Sequence, residues 1–351
     1  MAEQQKQQAA QNDDLRYSPD TVILDRETVF TAPGFRRDYF DHLSLHGTMM
    51  SDPLEMVLPG FARGFVGMLA APGGVGKSMF ALQAAFDMAA GTNRLGVNAM
   101  PGSVLYLAGE DSFETLEPRI FELYMSLTPS QQARIRNNFT AIPTIGTPFN
   151  VNTTADFNDF INNAMAYDVL IIDTLRRAHT CDENDNTEMF GVMNRLEAIN
   201  KGCLARGKKL TTLILHHSNK GMAMAGRTSE QQSARGASVI VDNARFVSYI
   251  AGMTELEFEK SGLPDPDRRG YYCQFGVSKQ NYGAPLVPIW YERRTAGLLH
   301  PVYFEGGQVV DFDVDNPPVQ QSFVAPAKPV TTTTGGFADT KRKRKGVFNG
   351  Y

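Results

Sequence analysis

The stretch AAPGGVGKS, residues 70–78, constrains the fold of this chain more than any other feature of its sequence. Its glycines let the backbone curl until successive N–H groups point at one anion, and its lysine adds a positive charge beside the terminal phosphates of a nucleotide. The serine that follows offers a hydroxyl to Mg²⁺ at the positive end of a helix. The strict pattern has glycine where this chain has Ala71. We predict an ATP-binding loop, called the P-loop below, formed by Pro72, Gly73, Gly74, Val75, Gly76, Lys77 and Ser78.

Apolar β-branched runs alternate with helical runs around the P-loop, which is typical of a mainly parallel sheet covered by helices. Residues 78–91 predict a helix that ends at Gly91, and their apolar character on every side predicts burial against the sheet. The predicted strands are residues 64–71, 103–111, 167–174 and 211–218. Five apolar residues at helical spacing predict a second helix whose face lies in the core, namely Met189, Val192, Met193, Leu196 and Ile199.

Beyond residue 245 the pattern changes to short alternating runs with Gly and Pro breaks, which indicate antiparallel strands. The runs are RFVSYIAGM, YYCQFGVS and VPIWYE, and Trp290 in the last of them is predicted to be a core residue. The patterns together predict the α/β class, with a mainly parallel twisted sheet flanked by helices and antiparallel strands added at the C-terminal side.

The two ends of the chain differ in composition from the middle. Residues 1–30 begin with a polar, glutamine-rich run that buries too little apolar area to offset the entropy of ordering, so we predict a disordered leader. Residues 317–351 form a Pro/Thr-rich linker that ends in the basic tail KRKRK. The predicted folded domain is therefore 31–316, and the 42% hydrophobic content of the 351 residues suffices for a sizeable core.

Charge and cysteine usage limit the class of protein. The net charge is −4 even with the cations of KRKRK, so nucleic-acid binding requires a local basic site. The three cysteines lie far apart without CxxC spacing, which supports neither a zinc site nor a disulfide framework. No apolar run reaches about 18 residues, and the start of the chain lacks the pattern of a signal peptide. We expect a cytoplasmic protein without a membrane partner.

Acidic and histidine side chains stand at the ends of three predicted strands. Ligands of such sheets lie outside the carboxyl ends of the strands, so Glu110, Asp173 and His217 are expected near the phosphates. Asp173 suits a Walker B carboxylate that holds hydrated Mg²⁺, or else caps the following helix. Glu110 is placed to orient and deprotonate the attacking water, whereas Asp111 suits a helix cap. His217 is expected either to donate a hydrogen bond to the γ-phosphate or to have a structural role.

A series of motifs resembles those of the RepA family, the hexameric replicative helicases of IncQ-type plasmids, in the same order and over roughly residues 60–290. The family is similar in fold to the DnaB helicases and KaiC, so the resemblance implies a RecA-like P-loop NTPase core in the ATPase/helicase domain 31–316. The matching stretches are APGGVGKSMFALQ, VLYLAGED, IIDTLRRAHT, LHHSNKG, QQSARGASVIVDNAR and FGVSKQNYGAP.

The resemblance implies a role for each matching residue. Arg235 matches the arginine that reaches the γ-phosphate of a neighbouring subunit, although the residues alone would favour a surface salt bridge. Lys279 keeps a lysine of the DnaB-type pattern, but Asn281 replaces the arginine that follows it, so the role across the interface rests more heavily on Arg235. The other matches are Lys77 and Ser78 for the Walker A pair, Glu110 for the catalytic base, Asp173 for the Walker B aspartate and His217 for the γ-phosphate sensor.

The implied activity is that of an ATP-dependent replicative DNA helicase with ATP and Mg²⁺ as cofactors, a homo-oligomeric hexameric ring and possible replication-initiator or primase partners. Residues 218–234 have little apolar periodicity and carry Lys220 and Arg227 as their only cations. We interpret this segment as a pore loop that grips the backbone of single-stranded DNA, because it lacks an aromatic residue for base stacking. A mobile surface loop without that role is the alternative.

Two other classes of function share part of this pattern. A RecA-like or KaiC-like DNA-binding regulatory or recombination ATPase has nearly all of the same motifs but does not unwind DNA. A small-molecule P-loop kinase needs an arginine-rich lid and a substrate pocket, and the sequence shows no such lid segment.

Overall fold

A twisted sheet lies at the centre of the molecule, and helices cover both of its faces. The structure is a computed structural model that describes residues 54–146, 149–152, 157–217, 238–283 and 285–313. The strands are β1 (Met56–Leu58), β2 (Phe61–Ala62), β3 (Val66–Ala71), β4 (Val104–Ala108), β5 (Phe139–Pro143), β6 (Val169–Asp173), β7 (Thr211–His217), β8 (Phe246–Gly252), β9 (Tyr272–Gln280), β10 (Ile289–Arg293), β11 (Leu299–Glu305) and β12 (Gln308–Asp311).

The α-helices are α1 (Lys77–Ala90), α2 (Phe113–Met125), α3 (Pro129–Asn138), α4 (Phe157–Ala164), α5 (Asn186–Leu204), α6 (Ser238–Asn243) and α7 (Glu255–Ser261). Short 3-10 helices follow β6, precede β9 and connect β10 to β11. None of the helices in the described ranges combines the length and apolar composition needed to cross a membrane.

The described strands pair in the order β12-β11-β10-β9-β8-β3-β7-β6-β4-β5, with β1 and β2 forming a separate antiparallel pair. All pairs from β8 to β5 are parallel, and all pairs from β8 to β12 are antiparallel. The strand β7 therefore lies between β3, which leads into the P-loop, and β6. This arrangement confirms the predicted α/β class with antiparallel strands added at the C-terminal side.

The direction of β8 differs from the prediction. We predicted an antiparallel strand at RFVSYIAGM, but β8 pairs in parallel with β3, from Gly67 opposite Phe246 to Ala70 opposite Tyr249. A parallel neighbour requires a crossover connection, and α6 lies in the connection that leads into β8. Residue alternation marks a strand without giving its direction, so this part of the prediction was wrong. Trp290 is half-buried against Phe304 rather than enclosed in the core.

The period of the strands divides the core into two clusters, one on each face of the sheet. On β3, Leu69 and Ala71 pack with α1, whereas Met68 packs with α5 on the other face. All residues of α1 except Ser78 are buried, as its apolar sequence predicts, and the helix ends at Gly91 in a left-handed conformation with φ of 64°. The five core residues predicted for the second helix are all buried on α5.

Two leucines of α5 test this placement of its buried face. Leu196 is 0% exposed and Leu204, on the same helix, is 57% exposed. Leu196→Ala leaves a cavity, so we expect the free energy of unfolding to fall by about 2–5 kcal/mol. The matched variant Leu204→Ala is expected to change it by less than about 0.5 kcal/mol. Urea unfolding followed by circular dichroism measures both, and equal losses would contradict the placement.

Candidate nucleotide site at the carboxyl edge of the sheet

The P-loop connects the last residue of β3 to the first residue of α1. Gly74 and Gly76 have φ of 79° and 108°, a left-handed region in which a side chain is strained, so glycine is required at both positions. Gly76 is also the N-cap of α1 and supplies no side-chain cap, which leaves the first N–H groups of the helix open to an anion. Ala71, where the strict pattern has glycine, is still part of β3 and packs in the core. Its methyl group therefore lies outside the curled part of the loop.

Two oppositely charged side chains meet beneath the P-loop. Lys77 and Asp173 are 5% and 2% exposed, and Lys77 Nζ lies 3.5 Å from Asp173 Oδ1. Both atoms are buried, and neither has a hydrogen-bond partner among the described residues. A buried ammonium and a buried carboxylate oxygen with open hydrogen-bonding capacity fit a nucleotide phosphate and a hydrated Mg²⁺. The residues present are therefore suited to Mg²⁺-ATP.

A tyrosine that the sequence analysis did not single out fixes the orientation of Asp173. The hydroxyl of Tyr106, on β4, donates to Asp173 Oδ2 at 2.6 Å and lies 3.3 Å from the carbonyl oxygen of Ser78. Burial, and then the negative charge of Asp173, raise the pKa of Tyr106 well above its ordinary value, so the hydroxyl remains a donor. The second oxygen, Oδ1, stays directed at Lys77. The signal in the sequence was a single tyrosine within an apolar strand, which looks like an ordinary core residue.

Glu110 follows β4 and is held between two neighbouring strands. His217, the last residue of β7, donates from Nε2 to Glu110 Oε1 at 3.2 Å, and the hydroxyl of Thr174 donates to the same oxygen at 3.1 Å. The hydrogen bond from His217 is the main reason that the pKa of Glu110 falls to about 2; burial opposes it, and the charge of Lys77 adds to it. Glu110 is therefore a carboxylate that can only accept hydrogen bonds over the physiological pH range.

Neither of the helix-capping alternatives is correct. Ser112, not Asp111, is the N-cap of α2, and Asp111 instead pairs with Arg119 at 2.6 Å. Asp173 is the last residue of β6, and Thr174 precedes the 3-10 helix that follows it. Both oxygens of Asp173 face Tyr106 and Lys77 rather than a helix N-terminus.

Lys279 does not join the P-loop of its own chain. It pairs in register with Val247 on β8, which is opposite Met68 on β3, so it lies about 10 Å short of the end of β3. Its Nζ donates to the carbonyl oxygens of Val241 and Asp242 at 2.8 Å each. Burial lowers its pKa. The expectation that Lys279 binds nucleotide is thus wrong for the chain that carries it, because its ammonium is used at the C-terminal end of α6.

Other predicted residues cannot be placed. Lys220, Arg227 and Arg235 lie outside the described residues, as do the leader 1–30 and the tail 317–351. A cavity of about 790 Å³ opens beside the first half of the P-loop. It is lined by P-loop residues, the end of β8, the start of α7 and Arg293 of β10, a residue that the sequence analysis also missed.

Comparison with known proteins agrees with this geometry. The family model described as "AAA domain" matches residues 47–223, which include the P-loop, Glu110, Asp173 and His217. The chain belongs to the AAA domain family. Its fold is that of a RecA-like P-loop ATPase, in which the P-loop strand and the strand of Asp173 are separated by one strand.

Two solved structures are similar to this chain at low sequence identity. The ATPase domain of a phage helicase aligns with a TM-score of 0.49 and 12% identity, over 73% of this chain and 88% of that chain. The RadB recombinase aligns with a TM-score of 0.42 and 13% identity, over 68% of this chain and 93% of that chain.

The contact between His217 and Glu110 generates a prediction on pH. In His217→Ala the pKa of Glu110 is expected to rise from about 2 toward the ordinary range of a glutamate, because the main cause of its lowering is removed. NMR titration of the glutamate side chains measures the shift. A lowered carboxylate pKa stabilises the fold above the pKa of the unfolded chain, so the stability from this contact is complete there and is lost as the pH falls toward about 2.

His300→Ala provides the matched control for that titration. His300 lies on β11, and the charged residues that act on it do not include Glu110. Its replacement is expected to leave the pKa of Glu110 unchanged. An unaltered pKa in His217→Ala would contradict the hydrogen bond between the two residues.

Proposed function

We propose that this protein is an ATP-dependent DNA helicase, a ring-forming motor that couples Mg²⁺-ATP hydrolysis to movement on single-stranded DNA and to duplex unwinding. The observation that carries the ATPase part is the convergence of Lys77, Glu110, Asp173 and His217 at one edge of the sheet. The helicase part rests on the order of the motifs from the P-loop to FGVSKQNYGAP, which resembles the RepA-type helicases.

Each group at the edge has a defined part in the proposed reaction. The N–H groups of the P-loop and the ammonium of Lys77 bind the phosphates, and Ser78 and Asp173 are the residues that would hold Mg²⁺. Bound Mg²⁺ supplies positive charge that neutralises the phosphate oxygens during transfer. Tyr106 leaves one oxygen of Asp173 available for this purpose, because it occupies only the other.

Glu110 is proposed to position the attacking water. Its low pKa makes it a weak base but a permanent acceptor, and phosphoryl transfer requires orientation of the nucleophile more than early removal of its proton. Negative charge on a γ-phosphate would raise this pKa and so improve the base. His217 has the reach to donate either to Glu110 or to the γ-phosphate, which suits a residue that reports whether the phosphate is present.

Two substitutions separate binding from hydrolysis. Lys77→Ala is expected to lose nucleotide binding and to lower the ATPase rate by about 10²-fold or more, since it removes charge stabilisation at the phosphates. Glu110→Gln is expected to bind Mg²⁺-ATP but to hydrolyse it about 10²- to 10⁴-fold more slowly. Calorimetry with Mg²⁺-ADP and a phosphate-release assay measure the two properties.

Lys201→Ala controls for the loss of a lysine, because Lys201 is exposed on α5. It is expected to match the wild type in both assays. Equal hydrolysis by the wild type and Glu110→Gln would remove the assignment of the base, and normal binding by Lys77→Ala would remove that of the lysine.

A second chain is proposed to complete the site. The side chains of His217 and Glu110 are 32% and 38% exposed, so the edge is open on one side. Among the described residues, no arginine forms an ion pair with Glu110 or Asp173. An arginine that stabilises transferring phosphate charge is worth roughly 10³- to 10⁵-fold in rate, and Arg235 of a neighbouring chain in a hexameric ring is our candidate.

Unwinding itself requires a direct test. The wild-type chain is expected to hydrolyse ATP faster with single-stranded DNA present and to displace the labelled strand of a forked duplex, whereas Glu110→Gln displaces none. Replacing Lys220 and Arg227 with Ala is expected to keep DNA-independent hydrolysis. The same change should flatten the salt dependence of DNA binding by about 0.7 in log–log slope for each phosphate that is no longer neutralised.

Removal of residues 317–351 is the control for binding by the basic tail. If this deletion abolishes DNA binding while the Lys220/Arg227 variant binds normally, the DNA-binding assignment is wrong. Hydrolysis stimulated by DNA without strand displacement on any fork would favour a recombination or regulatory ATPase over a helicase.

A further inference from the structure

We propose that Arg293 is a positioning residue of the nucleotide site, which holds the P-loop from outside and adds a positive charge beside the phosphates. The inference rests on the proposed function only in requiring that the P-loop binds nucleotide. Arg293 lies 70 residues beyond the segment 47–223 that matches the family model, so a part of the chain outside that segment contributes to the site.

Alternation along β10 determines which way Arg293 points. Glu292 and Arg294 share one side, where Arg294 Nε donates to Glu292 at 2.8 Å and Arg294 also pairs with Asp311. Tyr291 faces the opposite side, where its ring meets the edge of Phe80 on α1 at 5.7 Å. Because successive side chains of a strand point to opposite faces, Arg293 faces α1 as Tyr291 does, one step closer to the P-loop.

Buried hydrogen bonds fix the distance between this hairpin and α1. Gln83, on α1, donates from Nε2 to the carbonyl oxygen of Leu299 at 2.9 Å and accepts from the N–H of Leu299 at 2.7 Å. The hydroxyl of Tyr291 donates to the carbonyl oxygen of Leu95 at 2.8 Å. Paired, buried contacts of this kind rigidify the elements that they join. The β10–β11 hairpin is therefore a fixed support for the P-loop helix.

The guanidinium of Arg293 contacts the backbone of the P-loop directly. Its Nη2 donates to the carbonyl oxygen of Gly74 at 3.1 Å and lies 3.5 Å from the position that a Cβ would take at Gly76. A curled loop that directs N–H groups at an anion needs partners for the carbonyl oxygens that point away, and Arg293 is such a partner.

The charge of Arg293 is not neutralised by a neighbour. Within the described ranges, no carboxylate forms an ion pair with it, in contrast to Arg268 and Arg294, which both pair with Glu292. A guanidinium has five donors, and the bond to Gly74 uses one of them. An uncompensated cation in contact with the P-loop lowers the free energy of bound phosphates, to an extent that salt reduces.

The test compares Arg293→Gln with Arg294→Gln in the full-length chain. Calorimetry measures the Kd of Mg²⁺-ADP and of Mg²⁺-pyrophosphate, which lacks the nucleoside. We expect Arg293→Gln to weaken both by about tenfold, since a hydrogen bond from a charged group and its electrostatic contribution are lost. Arg294→Gln removes the same charge on the other side of the strand and is expected to leave both Kd values unchanged. Arg293→Lys keeps the charge and is expected to recover part of the affinity.

Thermal unfolding without ligand separates this role from a general loss of stability. Arg293→Met keeps the apolar stem and serves in place of Arg293→Gln if that variant does not fold. Unchanged Kd values in a folded Gln or Met variant would overturn the inference, and so would a loss for Mg²⁺-ADP alone, which would place Arg293 at the nucleoside. Failure of the wild type to bind Mg²⁺-ADP would instead reject the proposed function.

Discussion

The buried contact between Lys77 and Asp173 is the constraint on which the rest of the site depends. Two charged side chains under about a twentieth exposed lose more solvation than their mutual attraction returns, unless further hydrogen bonds satisfy them. Only one oxygen of Asp173 has such a bond, from Tyr106. The fold must therefore hold the pair in place through its packing, and the completely buried α1 does so by fixing Lys77 against the sheet.

Strand register then determines which side chains surround this pair. Ala71 at the end of β3 is opposite His217, and Ala108 on β4 is opposite Asp173, so three parallel strands end at one level. Glu110 follows two residues after Ala108 and turns back to His217 and Thr174. The C-terminal hairpin adds a fourth wall through Arg293, because its antiparallel pairing carries the chain back beside α1.

Much of this site could be predicted from the sequence because glycine and buried charge have few alternatives. Gly76 requires a positive φ, and an acidic residue after four apolar ones has little reason to stand there except at a strand end. The supporting residues could not be predicted. Tyr106 looks like any aromatic core residue, and Arg293 reaches the P-loop only through pairing over more than 200 residues of chain. The direction of β8 was equally hidden, since parallel and antiparallel strands share the same alternation.

The path from the ATP site to the proposed DNA contacts is short along the chain. His217 is the last residue of β7 and touches Glu110, and Lys220 follows it by three positions. A ligand shifts a conformational equilibrium only through contacts that differ between the two states. A γ-phosphate that competes with Glu110 for the hydrogen bond from His217 provides such a difference at the end of β7. In the proposed motor, loss of that phosphate would return His217 to Glu110, and the segment that carries Lys220 and Arg227 begins at the strand end that responds.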